Sequence, residues 1–429
     1  MQALSHIYVK LKESRLFTDS LWALFGSAVG KGLSLLAGIV IARLLGSEAY
    51  GEYGTIRNTL LMIAIFSTMG LGYTATKFIA ENKQKEDNKR IIDIHRIAIT
   101  TTYIMSGFIA LLIFASAKQV GIWIEAPHLY STLRLSAIAI IFNAINTTQT
   151  GELAGFGAYK ELAKNNTIAG IATFILSIIL TYLYTLDGAI IALIASLLFN
   201  AFLNRLSISR YLSIRSSNSK IESGYIKEII KFSIPIALQE SLYSITNWLG
   251  IFILIKLAGY TELGLYSAAT QWMSVILFIP GALRNVALSH FAAANNNGEQ
   301  THSILKKLMF VNFISTFIPF IIVSILSGWI ESLYGESFDG LRPILIVALL
   351  TAIISSLTNV VTQEFVSQGR NWFLFWSRLT RDCGTLIIAY ITINNISHGA
   401  LALTLSLCIL QTIYLVILLR TYYKHQRNE

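Results

Sequence analysis

The sequence predicts an all-α integral membrane protein: twelve transmembrane helices in two pseudo-symmetric six-helix lobes. Two observations lead there. The 429 residues are 54% hydrophobic and only 13% charged, with mean hydropathy +0.60, a balance rare in soluble globules. The chain also repeats itself. Arg43, Leu44, Gly46, Gly51 and Tyr53 return as Lys256, Leu257, Gly259, Gly264 and Tyr266. Trp123-Ile124-Glu125 returns as Trp329-Ile330-Glu331, and Thr150, Glu152 and Gly157 return as Thr362, Glu364 and Gly369. These matches keep their order at offsets of 206 to 213 residues, which one chance match does not explain.

A hydrocarbon layer of roughly 30 Å needs about 20 helical residues at 1.5 Å each. Six apolar runs of that kind fill the first half, at 21–45, 55–78, 97–116, 135–156, 167–184 and 189–206. Six more follow at 232–255, 266–291, 309–330, 344–366, 373–393 and 400–419. The implied division is a first lobe over 1–206, a serine-rich basic linker over 207–231 and a second lobe over 232–429. The first run is long and lacks a small-residue cleavage pattern, so it reads as a retained helix.

Lys and Arg concentrate in alternate connections, around 10–15, 83–96, 160–164, 205–231, 306–307, 370 and 420–427. The opposite connections hold Lys118, Arg134 and Arg342. Cytoplasmic loops carry the basic excess, so both termini are expected in the cytoplasm. The formal charge of +10 is thus a topology signal; it is spread over short loops and does not form a nucleic-acid surface. Outer loops are short, and Trp123 and Tyr130 read as interfacial anchors.

Several chemistries find no support. Gly26-Ser27-Ala28-Val29-Gly30-Lys31-Gly32 resembles a phosphate loop, but it has the wrong glycine spacing, no Ser or Thr after the lysine and no preceding strand. The seven histidines show no metal-ligand spacing, no GxSxG or HExxH pattern occurs, and Cys383 and Cys408 lie in apolar runs as packing residues. Neither a cofactor nor a metal is expected.

Charges inside apolar runs are the functional candidates, because Lys or Arg at the bilayer centre costs about 2.5 to 3.5 kcal/mol on insertion scales. Lys31 is the deepest and shares a helix face with Ser27, Ser34 and Gly38. The repeat maps that face onto Glu240, Ser244, Asn247 and Ile251. Arg57 and Arg284 lie in the second and eighth runs, and Arg378, Arg381 and Asp382 share a face of the eleventh. Asn143, Thr147 and Thr150 match Ser355, Asn359 and Thr362, groups suited to sugar hydroxyls. Bland readings stand beside these. Arg57 could snorkel to the outer interface, Arg381 could pair with Asp382, and Glu152 and Glu364 could pair with Lys160 and Arg370 or cap their helices.

The phrases Ala42-Arg43-Leu44-Leu45-Gly46, Tyr50-Gly51-Glu52-Tyr53, Leu257-Ala258-Gly259, Leu263-Gly264-Leu265-Tyr266 and Tyr334-Gly335-Glu336-Ser337-Phe338 carry a resemblance. They resemble the Wzx-like O-antigen and polysaccharide-unit flippases, a polysaccharide transport branch of the MOP/MATE-like exporter superfamily. The resemblance implies a two-lobed transporter that moves an undecaprenyl-diphosphate-linked glycan across a bacterial inner membrane. It implies a cationic cavity, for which Lys31, Arg57, Arg284, Arg378 and Arg381 are the candidates here. Glu240 and Asp382 are candidates for coupling to a proton gradient, with Asn247, Asn143 and Asn359 as further polar groups. Implied partners are membrane lipids, a polysaccharide polymerase and a chain-length regulator. Two rivals stay open: a cation-coupled multidrug exporter of the same superfamily, and an integral-membrane polymerase or glycosyltransferase.

Overall fold

A computed structural model describes residues 15–212, 223–281, 283, 287, 291, 298–368, 370–395 and 398–426. Those residues are overwhelmingly helical and contain no strand. The helices labelled here are α1 (Arg15–Thr68), α2 (Leu71–Gln84), α3 (Asn88–Trp123), α4 (Tyr130–Gly155) and α5 (Tyr159–Leu212). After them come α6 (Ser223–Ile276), α7 (Gly298–Tyr334), α8 (Leu341–Ser367), α9 (Asn371–Asn395) and α10 (Gly399–Gln426).

Among the described residues, eight helical stretches are long and apolar enough to cross a membrane. The predicted runs, as far as they are described, fall in α1 to α10, although the second crosses the turn at Met69-Gly70 into α2, the eighth passes the end of α6, and the eleventh lies in α9, outside the eight stretches. α1, α5 and α6 each carry one whole run and all or part of a second. α1, α5 and α6 are each 54 residues, too long for one crossing of a layer that takes about 20. Each turns at non-helical backbone: Gly46 in α1, Tyr184 and Thr185 in α5, and Gly259 in α6.

The repeated motif now has a physical reason. Gly46 (φ 75°, ψ 171°) and Gly259 (φ 85°, ψ −177°) stand 213 residues apart and adopt the same backbone, one that side chains with a Cβ avoid. The second glycine of each motif serves packing. A Cβ on Gly51 would fall on the Tyr260 carbonyl oxygen, and a Cβ on Gly264 would fall on that of Ser47. Tyr260 is itself 213 residues after Ser47, so the contact is reciprocal, like an interface between two copies of one surface.

The chain packs as two compact units. The first holds the described residues of Met1–Ala37 and Thr55–Trp248, the second Gly38–Gly54 and the described residues of Leu249–Glu429. The units follow the repeat in the main, with short exchanges. Gly38–Gly54 joins the second unit through the glycine crossing and through side chains. Arg43 Nη1 donates to Leu333 O at 3.2 Å, Tyr50 OH donates to Gln271 Oε1 at 3.0 Å, and Ser47 N donates to Ser337 Oγ at 3.2 Å. The N-terminal part of α6 joins the first unit, where Trp248 Nε1 donates to Thr59 Oγ1 at 3.0 Å. Most of the expected linker, residues 213–222, lies outside the described residues.

Each unit has its own apolar core at equivalent repeat positions. In the first, Phe78, Ile91, Ile94, Leu153, Phe156 and Ile208 pack together. In the second, Phe291, Leu305, Val361, Phe365, Leu418 and Tyr422 do so. Phe78 and Phe291 are 213 apart, Leu153 and Phe365 are 212 apart. Polar ladders tie the two arms of α5 to each other and α4 to α5 in the first unit. Asn165 Nδ2 donates to Asn204 Oδ1 and to Ser207 Oγ, both at 3.0 Å, and Asn146 Nδ2 donates to Leu197 O at 2.7 Å. Between membrane helices such bonds average about 0.6 kcal/mol each. Elsewhere helices present apolar faces: Phe310, Ile318, Ile322, Ile325 and Trp329 on α7 are all exposed, as suits a lipid solvent.

Candidate functional site

The most buried of the membrane-crossing stretches are those that hold α4 and α8, half or more inside the protein. A lipid-facing remainder would be apolar. Over residues 139–155 of α4 the exposed positions are Thr147 and Thr150, and over 351–367 of α8 the exposed position is Asn359. Asn143 on α4 and Ser355 and Thr362 on α8 are half-buried on the same helical faces. Over these stretches the exposed positions carry hydroxyl or amide groups at repeat-equivalent sites, while nearer the helix starts Ile138 on α4 and Leu350 on α8 are also exposed. Polar side chains facing hydrocarbon are costly, which makes these positions the candidate polar face of each unit.

The basic candidates separate into different kinds. Lys31 is exposed on α1, on a face with exposed Ala28 and Ser34, small or polar neighbours in place of a greasy stripe. Arg57, also on α1, is half-buried and has neither a hydrogen bond nor an ion pair among the described residues. Asn247, near the α6 contribution to the first unit, is exposed.

In the second unit Arg378, Arg381 and Asp382 form one network, as their helical spacing implied. Arg381 Nε donates to Asp382 Oδ1 at 2.8 Å and Nη1 donates to Gln411 Oε1 on α10, also at 2.8 Å. Its guanidinium lies 5.0 Å from the Tyr414 ring centroid, a cation–π contact. Arg378 Nε stands 3.8 Å from Asp382 Oδ2 and keeps 40% of its side chain exposed. Two guanidiniums share the Asp382 carboxylate. The pairing of Arg381 with Asp382 that the sequence left open is present. Arg284 and the side chain of Glu240 lie outside the described residues.

One expectation is corrected. Glu152 does not pair with Lys160: its partner is His95 on α3, Nδ1 to Oε1 at 2.9 Å. Glu152 is fully buried, whereas Lys160 is exposed past the turn at Gly157. A buried carboxyl takes the partner that packing brings, here one from 57 residues earlier. Glu364 accepts from Gln368 Nε2 on its own helix. The repeat held a signal for this group, since His95 and His302 are 207 apart as Glu152 and Glu364 are 212 apart. Among the described residues no group of three His, Cys, Asp or Glu is placed to hold a metal ion.

Comparison with known proteins agrees with this architecture. The polysaccharide biosynthesis protein family matches residues 40–310, more than half of the chain. The chain belongs to that family. The EPS I polysaccharide export inner membrane protein EpsE of Ralstonia nicotianae is 22% identical over 89% of this chain and 88% of its own length. A putative O-antigen transporter of Shigella flexneri is 22% identical over 75% of this chain and 77% of its own. An uncharacterised membrane protein of Methanocaldococcus jannaschii is 24% identical over 58% of this chain and 61% of its own. Among solved structures, an inward-facing MATE-family multidrug transporter of the MOP superfamily aligns with TM-score 0.81 at 15% identity, covering 95% of this chain and 98% of that one. A Pyrococcus furiosus MOP-superfamily transporter, described by the reversed polarity of its binding pocket, aligns with TM-score 0.71 at 16% identity over 96% and 95%. Family and fold together describe a Wzx-like, polysaccharide-related transporter that crosses the membrane many times.

Proposed function

We propose that this protein is a flippase for undecaprenyl-diphosphate-linked oligosaccharide units, O-antigen or a related surface polysaccharide. It carries them from the cytoplasmic to the periplasmic leaflet of a bacterial inner membrane by alternating access, with both termini cytoplasmic. A diphosphate-sugar cannot enter hydrocarbon, so it needs a wet polar face while its prenyl tail stays in lipid. The observation that carries the reading is the pair of polar faces on α4 and α8, together with an arginine, Arg57, that the described protein leaves without an acceptor.

In this reading Arg57, Lys31, Arg284 and Arg378 meet the diphosphate, and Arg381 is held rigid by Asp382, Gln411 and Tyr414 to present the remaining positive field. Arginine suits phosphate because its planar fork makes paired charge-assisted bonds. Asn143, Asn247 and Asn359 meet sugar hydroxyls, and Glu240 and Asp382 are the acidic candidates in the same set. The family relatives support export of a polysaccharide precursor, and a downstream polymerase and chain-length regulator would receive the unit.

The test is genetic and then biochemical. Deletion of the gene should abolish long-chain surface glycan, and the wild-type gene should restore it. Purified protein in liposomes should then move a fluorescent polyprenyl-diphosphate glycan between leaflets. Extrusion of a cationic dye without movement of the lipid-linked glycan would replace this reading by the multidrug one, and glycan elongation in the same liposomes would replace it by the polymerase one.

A further inference from the structure

Glu152 has no exposed surface, and charged side chains are almost never fully buried without a purpose or a partner. His95 Nδ1 lies 2.9 Å from one carboxyl oxygen, Oε1, and the other, Oε2, has no hydrogen-bond partner. On α3, two residues before the histidine, buried Asp93 also has an oxygen, Oδ1, without a partner. Buried polar atoms are nearly always paired. At Glu152 an acceptor without a donor in such a place points to a missing hydrogen, and protonation of that carboxyl supplies one.

Among the described residues no lysine or arginine is bonded to Glu152. From α2, Lys83 Nζ donates to the Phe156 carbonyl. From α5, Tyr159 and Tyr211 pack on the apolar cluster around Phe156, with Tyr211 stacked on that ring at 5.0 Å. From α3 come Asp93 and His95. Exposed pairs on these elements are Lys77 with Glu81 and Arg90 with Asp87, and half-buried Arg96 follows His95 on α3. Among the described residues His95 is the titratable group bonded to Glu152.

The second unit repeats the residues and not the wiring. His302, Glu364 and Tyr422 follow His95, Glu152 and Tyr211 by 207, 212 and 211 residues. Yet Glu364 takes Gln368, and His302 lies flat against Tyr422, ring centroids 6.3 Å apart at 14°. Duplication supplied two carboxyl–imidazole sets, and one of them is joined.

We propose that His95 and Glu152 form a proton-binding pair that loads and releases one proton, so that the first unit, and not the second, couples transport to a proton gradient. The coupling half of this inference rests on the transporter reading above. In the unloaded pair, neutral His95 donates its Nδ1 hydrogen to the Glu152 carboxylate. A proton from water adds to Nε2, reachable because the His95 side chain keeps 26% of its surface exposed. Nδ1 then passes its hydrogen to Oε1, leaving a neutral carboxylic acid and the other neutral imidazole tautomer. One proton has entered, no electron pair is left over, and the His95–Glu152 hydrogen bond persists with its roles reversed.

Full-length protein in liposomes should be titrated with pH while the infrared carbonyl stretch of protonated carboxyls is followed. The expected result is a titrating band that loses amplitude in Glu152→Gln, keeps it in Glu364→Gln and moves its midpoint in His95→Asn. The last variant also serves if Glu152→Gln fails to fold, because it keeps the carboxyl and removes only the titrating partner. Unchanged amplitude in Glu152→Gln, an unmoved midpoint in His95→Asn, or a band that answers to sodium instead of pH overturns the proposal. Flipping of the polyprenyl-diphosphate probe under an imposed pH gradient is read on the same liposomes. Gradient-driven flipping should vanish in Glu152→Gln and survive in Glu364→Gln; gradient-driven flipping retained in Glu152→Gln overturns the coupling. If the wild type moves no lipid while the titration behaves as expected, the substrate reading fails and the proton pair is upheld.

Discussion

Arg57 and Arg381 are both membrane-embedded arginines, and the structure gives opposite expectations for their removal. Arg57→Ala deletes no bond to the described protein, so stability should hold within about 0.5 kcal/mol, the usual range for substitutions that break nothing. Any charge-assisted bond it makes to a diphosphate is worth about 1.5 to 3 kcal/mol. That corresponds to roughly 10- to 150-fold weaker binding of the lipid-linked headgroup, at about 1.4 kcal/mol per tenfold. Arg381→Ala instead removes three hydrogen bonds, two of them to Asp382, and a cation–π contact, and it strips the closest counter-charge from Asp382, whose side chain is 10% exposed. Breaking a buried pair costs about 3 to 5 kcal/mol, and the low end applies because Arg378 stays within 3.8 Å. Both variants should be purified in detergent, their unfolding followed by heat and size exclusion, and their binding of a short-chain prenyl diphosphate measured by titration. An Arg57→Ala protein that binds as tightly as wild type, or that unfolds as readily as Arg381→Ala, would refute the assignment of Arg57 as the ligand's arginine.

Other expectations follow from the same geometry. Gly264→Leu should prevent the reciprocal crossing with Ser47, costing more than the ~1 to 3 kcal/mol of ordinary overpacking, and the yield of monodisperse protein should collapse. Asn359→Leu makes the exposed part of α8 apolar; glycan flipping should fall several-fold with thermal stability unchanged, and equal transport rates would remove Asn359 from the substrate path. Trp248→Phe deletes the bond to Thr59 and should lower stability by about 1 kcal/mol, read as a lower unfolding temperature. Cysteines introduced at Lys85 and Lys424 of a Cys-free background should resist an impermeant thiol reagent applied outside intact cells, whereas Lys118→Cys should react; the reverse pattern would invert the topology.

Much of the fold was legible because lipid imposes a simple rule: backbone polar groups must be satisfied within the segment, so apolar runs become helices whatever they pack against. The turns at Gly46 and Gly259 were marked by the repeat itself, since only glycine readily takes their backbone. What hydropathy could not show is the backbone that joins paired runs, non-helical at Gly46, at Tyr184 and Thr185, and at Gly259. At the candidate site, helical spacing grouped Arg378, Arg381 and Asp382 correctly, because residues three and four apart share a face.

The amino-acid order alone determined the membrane class, the duplication and the positions of the buried charges, because these depend on local composition and on comparing the chain with itself. Tertiary structure alone decided which charges are spent and which are left. Gln411 and Tyr414 reach Arg381 from another helix, His95 reaches Glu152 across 57 residues, and Gly38–Gly54 packs with the second unit. Identical residue types therefore do different work in the two halves: the His and Glu of the first meet and those of the second do not, since partner choice is set by which helix faces pack together and not by the residues a helix carries.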